Sequence, residues 1–101
     1  MIAIDRVRRW CLALPGATED LKWDDNLVFS VEGRMFAIIT LDLPHRVSFK
    51  CGPEAFAELV ERDGITPAPY LARARWVSVD LDADPMDDDD LKTRLAEAHR
   101  T

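Results

Sequence analysis

The chain is 101 residues long and 48% hydrophobic, with 13 Lys+Arg against 19 Asp+Glu and a formal net charge of -6. That length accommodates one domain, residues 1–101, with a core that needs neither disulfides nor metal, and leaves no room for two ordinary domains. A net negative potential opposes phosphate backbones, so nucleic-acid binding by diffuse surface charge is excluded and any such contact requires a local basic patch.

The acidity is unevenly spread. Residues 1–79 hold 10 Lys+Arg and 11 Asp+Glu, whereas residues 80–101 hold 3 and 8. The two cysteines, Cys11 and Cys51, each fall inside an apolar pattern, as buried free thiols of a reducing cytoplasm do, rather than in a secreted disulfide framework. The amino end, MIAIDRVRRWCLALPG, mixes Asp5 and three arginines with its apolar residues and reads as a helix, neither a signal-peptide core nor a membrane span.

In that first segment Ile4, Val7, Cys11 and Leu14 recur at helical spacing, and Pro15-Gly16 supplies the stop. From Leu21 to Cys51 the period becomes two. Leu27, Phe29 and Val31 alternate with Val28 and Ser30; later Val47, Phe49 and Cys51 alternate with Arg46, Ser48 and Lys50. Between these half-buried strands RMFAIITL is apolar on both faces, as a central strand is, and residues 32–34 form a tight hairpin turn.

Pro53 and Glu54 suit the first turn of a second helix with Phe56, Leu59 and Val60 inward, ended by Asp63-Gly64. Residues 66–69, TPAP, break regular helix. A further strand then turns Val77, Val79 and Leu81 one way and Trp76, Ser78 and Asp80 the other. A last helix begins at about Pro85, with Leu91, Leu95 and Ala98 as its stripe. The expected fold is α+β, ordered α-β-β-β-β-α-β-α, with an antiparallel sheet of about five strands and helices packed on one face. The other face is left to solvent or a partner.

Catalytic motifs are absent: His45 and His99 lie far apart, neither sits near a cysteine at metal-ligand spacing, and there is no Gly-rich phosphate loop or nucleophile elbow. The chain is therefore expected to be neither an enzyme nor a holder of a cofactor. Asp80, Asp82 and Asp84 alternate as at the start of a calcium loop, but Pro85 and Leu91 stand where that loop needs Gly and Glu. Asp84 or Asp87 instead suits the cap of the last helix and Pro85 its first turn, with the remaining carboxylates lying where the helix dipole is positive.

The segment PYLARARWVSV, residues 69–79, places Arg73 and Arg75 between Tyr70 and Trp76. Pleat alternation turns Trp76 away from the core, together with Arg46 and Lys50. Either an aromatic ring shares a surface with cations, equipment for stacking bases or anchoring a protein, or Trp76 lies half-buried under a loop and the arginines pair with carboxylates.

The pieces CLALPGATE, VFSVEGRMFAIITL, VSFKCGPE and APYLARARWVSVDL, in that order and spacing, resemble the MmcQ/YjbR family, often described as DNA-binding proteins. Members commonly carry Asn-Lys-x-His-Trp before the last strand; the matching positions here, Ala72 to Trp76, keep the cation and the ring but not the imidazole. The resemblance implies a frataxin-like (CyaY-like) fold and a DNA-binding role; Arg34, Arg46, Lys50, Tyr70, Arg73, Arg75 and Trp76 are the expected contacts, and a monomer without membrane attachment is expected. A protein-interaction or small-ligand module on the same surface is the alternative, and a frataxin-like acidic metal binder using Asp80 to Asp90 is a third.

Overall fold

The structure, a computed structural model, describes residues 2–100. Chain order is α1 (Ile4–Leu12), β1 (Ala17–Lys22), β2 (Asn26–Val31), β3 (Arg34–Thr40), β4 (Arg46–Lys50), α2 (Pro53–Leu59), β5 (Ile65–Pro67), β6 (Trp76–Asp80) and α3 (Asp88–Arg100). The six strands form one sheet in the order β1-β2-β3-β4-β6-β5, with every neighbouring pair antiparallel. The α+β class and the single-sided helices are as expected, with six strands in place of five. The additional strand is β5, where two prolines in TPAP exclude helix yet Ile65 to Pro67 still pair with β6.

All three helices contribute to one core. Val7 and Cys11 of α1, Leu59 of α2, and Leu91, Leu95 and Ala98 of α3 pack on Phe29, Ala37, Ile39, Val47, Phe49, Val77 and Val79 of the sheet. These are the residues that period-two alternation turns inward. Strands β2 and β3 join through Glu32 and Gly33, both at positive φ (52° and 76°), the mirror-image turn whose twist matches a hairpin.

A bulge opposite the Phe29/Ser30 step interrupts β3. Phe29 pairs with Ala37 and Ser30 with Met35, so Phe36 is the extra residue and joins Ala37 in the main core. Every position before it changes face. Arg34, which would otherwise share the outer side with Ile38 and Thr40, lies opposite Val31 on the helix side. Its guanidinium donates to the carbonyls of Ala98 and His99, at 3.4 and 2.8 Å, satisfying the last turn of α3. His99 packs edge-on against Phe36 and reaches the Pro15 carbonyl at 2.6 Å. Together these residues fasten the end of α3 to the start of the sheet.

The aspartate run begins α3 three residues later than expected. Asp87 is the cap, its carboxylate accepting from the Asp90 amide at 2.8 Å. Asp88 pairs with Arg6, and Asp90 with Arg62 and Arg94. Asp80 accepts from the Asp82 amide at 3.0 Å. Among the described residues no group of three or more His, Cys, Asp or Glu is placed to hold a metal ion. No helix among them is long and apolar enough to cross a membrane.

Candidate functional site: the helix-free face of the sheet

Cross-strand register lays out the uncovered face in rungs. One rung runs Lys22, Asn26, Thr40, Arg46, Asp80; the next runs Asp20, Val28, Ile38, Ser48, Ser78, Thr66. Polar and apolar positions thus mix on this side, unlike the mainly apolar helix side. Over it the segment from Ala68 to Arg75 folds back. A second, smaller core results, in which Val28, Ile38, Ala68 and Trp76 are buried and Met35 and Leu71 pack against them.

Trp76 is therefore on the face that alternation assigns it but is not a surface ring, being only 4% exposed. The segment before it is not strand. Ala72 to Ala74 make a 3₁₀ turn and Arg75 takes a left-handed conformation (φ 62°), so the chain doubles back and seats Ala68 and Leu71 on the indole. Of the two alternatives for Trp76, the exposed ring is corrected and the ring under a loop is the one found, more deeply buried than half and, among the described residues, without the ion pairs expected of Arg73 and Arg75; Arg34 is removed from this face by the β3 bulge. Two other aromatics are exposed: Tyr70, fully, and Trp23, 64% exposed in the turn between β1 and β2.

Beside the folded-back segment lies a groove of about 660 Å³. Its walls are Met35, Ile38, Ala68, Pro69 and Leu71, its rims Trp23 and Tyr70, and its floor carries Asn26, Thr40, Ser48, Ser78 and Arg46. A largely apolar concavity of this size with a few convergent polar groups is the usual form of a ligand site. Both rim aromatics have left-handed backbones, Trp23 at φ 53° and Tyr70 at φ 67°. Bulky residues rarely adopt this region, and holding one there costs on the order of 1–3 kcal/mol, a strain that clusters at binding sites. The Thr40 hydroxyl donates to the Asn26 side-chain oxygen at 3.1 Å, and the Asn26 amide donates to Asp25 at 2.8 Å. Near Trp23 a hydrogen bond with Asp42 holds Asp25 above its ordinary carboxylate value. That end of the groove is acidic.

The ion-paired cations keep to the helix side. The ion-paired arginines, Arg6 with Asp88, Arg8 with Glu19, Arg62 with Glu58 and Asp90, and Arg94 with Asp90, stand on or beside the helices. Among the described residues none of Lys22, Arg46, Lys50, Arg73 or Arg75 has a carboxylate oxygen within 4.0 Å; Lys22, Arg46 and Lys50 belong to the uncovered face and Arg73 and Arg75 to its loop, while Arg9, Lys92 and Arg100, equally without such a partner, stand on α1 and α3. Arg46 lies in the groove floor; Lys50 pairs with Trp76 across β4 and β6; Arg73 and Arg75 are exposed just beyond Tyr70.

Neither cysteine is poised for chemistry. Cys11 is fully buried in the main core, and burial pushes its thiol from 9.0 up to about 12. Cys51 is half-buried, its thiol donating to the Arg75 carbonyl at 3.3 Å, and burial raises it as well. Because the folded value for Cys11 exceeds the unfolded one, its contribution to stability is intact below about pH 9 and is lost as pH rises through about 12. Denaturant midpoints between pH 8 and 11 should fall less steeply in Cys11→Ala than in the native protein. Equal slopes would show that the buried thiol does not contribute. Both thiols should also react slowly with an alkylating reagent under native conditions.

The architecture is an α+β sheet layered on one side with helices, its other side bearing a groove and several cations without carboxylate partners among the described residues. The chain belongs to the YjbR family, whose model matches residues 12–101. The crystal structure of a protein from Pseudomonas syringae, a structural-genomics target, superposes with a TM-score of 0.81 at 17% identity, covering 98% of this chain and 97% of that one. At that identity the likeness establishes the shared fold. No curated protein matches the sequence.

Proposed function

We propose that this chain is a non-enzymatic binding domain that holds DNA against the helix-free face of its sheet. The observation that carries this is the placement of the unpaired cations. Among the described residues Lys22, Arg46, Lys50, Arg73 and Arg75 gather on the open face and its loop without carboxylate partners, whereas the helix side holds the ion-paired arginines and only the scattered Arg9, Lys92 and Arg100 without one. A chain of net charge -6 can bind a polyanion only through such local segregation. Family membership supports the same ligand at the level of analogy. Tyr70 and Trp23, rather than Trp76, are the rings offered to it, and Arg34 is left to the helix side.

The test is a salt titration of binding to DNA by fluorescence anisotropy. Counterion release makes log affinity fall linearly with log salt, by about 0.9 per phosphate contact on duplex and about 0.7 on single strands. Four cations in contact predict a slope of about -3.6 on duplex and about -2.8 on single strands. No binding at low salt refutes the proposal, and an affinity independent of salt points instead to a partner held by apolar contact.

A further inference from the structure

We infer that the groove takes unpaired bases, so that the domain selects single-stranded over duplex DNA; this rests on the reading of the open face as a DNA surface. Phosphate contacts alone do not require a concavity, since cations on a flat sheet serve equally well. Here the groove adjoins the cationic loop directly: Tyr70 and Leu71 line it, and Arg73 and Arg75 follow within five residues. Its floor spans four strands, from Asn26 on β2 to Ser78 on β6, roughly 14 Å at sheet spacing.

Two properties of the lining identify what enters. The walls are apolar and one rim is the fully exposed ring of Tyr70, a surface suited to the flat face of a base. In a duplex those faces are stacked on one another and only edges and phosphates are presented, so a paired strand cannot use this lining. The floor supplies edge-recognition chemistry. Arg46 is a planar donor without an ion pair among the described residues, and its cross-strand neighbour Asp80 is turned to the Asp82 amide. Ser48 and Ser78 add hydroxyls beside it.

Charge fixes the direction of approach. At the Trp23 end Asp24, Asp25 and Asp42 outweigh Lys22 and repel phosphate, whereas Lys50, Arg73 and Arg75 lie toward the other end. The backbone follows the basic loop, and bases turn from it past Tyr70 into the groove. An apolar peptide would fill the walls but leave the unpaired cations unmatched. Single-stranded DNA satisfies both.

Affinities for a mixed-sequence single strand and for the duplex of the same length, measured at one low salt concentration, test this with the native protein, Tyr70→Ala and Ser48→Phe. Tyr70 is fully exposed, so its removal leaves the core intact, and a phenyl ring at Ser48 fills the groove from the floor. The native protein should prefer the single strand by about ten-fold or more, and each variant should lose most of that preference through weaker single-strand binding, with the salt slope unchanged. Equal native affinity for the two forms, or variants that weaken both alike, overturns base insertion while leaving the DNA reading in place. Absence of binding to either form overturns that reading and the inference with it.

Discussion

Trp76→Ala is expected to lower stability by about 3–5 kcal/mol, read from the denaturant midpoint, which is a large share of the total for a domain of this size. The indole is 4% exposed and buried with Val28, Ile38 and Ala68, with Met35 and Leu71 packed around it. Its backbone is committed as well, the Trp76 amide donating to the Leu71 carbonyl at 3.2 Å and its carbonyl accepting from the Ala68 amide at 2.9 Å. Removing the ring leaves the folded-back segment with nothing to rest on, and the strained conformation of Tyr70 relaxes with it. DNA affinity should therefore fall in Trp76→Ala through disorder of the groove wall. Trp76→Phe, which refills most of the space, should recover both stability and affinity. A Trp76→Ala protein that unfolds at the native midpoint but has lost its ligand would instead return Trp76 to the role of a direct contact.

The fate of Trp76 illustrates what the sequence displays and what it conceals. Period-two alternation correctly divides β2, β4 and β6 between faces, because each has one apolar and one mixed parity, and a slip by one residue would expose the apolar set. It says which way Trp76 points but not whether anything lies over it. The cover is made by Ala68 and Leu71, isolated apolar residues between prolines, a tyrosine and arginines, and they have no period to read. The same limit hid the Arg34 lock. In RMFAIITL both parities are apolar, so a bulge at Phe36 changes the face of Arg34 without disturbing any visible pattern. Trp23 did leave a signal. A large aromatic in WDDN, where a hairpin turn ordinarily holds small polar residues, marks a ring deliberately held outside the core. Helix ends were more legible, since Asp87, Pro53 and Pro15-Gly16 act through local chemistry within a turn of where they stand.

The second large effect concerns where charge sits rather than how much there is. Replacing Arg73 and Arg75 with alanine should flatten the salt dependence of single-strand binding by about 1.4 and weaken it most at low salt. Both side chains are exposed and without carboxylate partners among the described residues, so stability should be nearly unchanged and the comparison clean. Arg9→Ala with Lys92→Ala is the matched control. It alters net charge by the same amount, on exposed positions of α1 and α3 that face away from the groove. If the summed field of the protein governed association, the two double variants would lose affinity equally. If local contacts govern it, only the loop pair changes the slope, and the control changes affinity slightly at low salt and not at all at high salt, beyond the screening length. Identical slopes for both pairs would remove the folded-back loop from the interface and leave Arg46, Lys50 and Lys22 to account for any binding that remains.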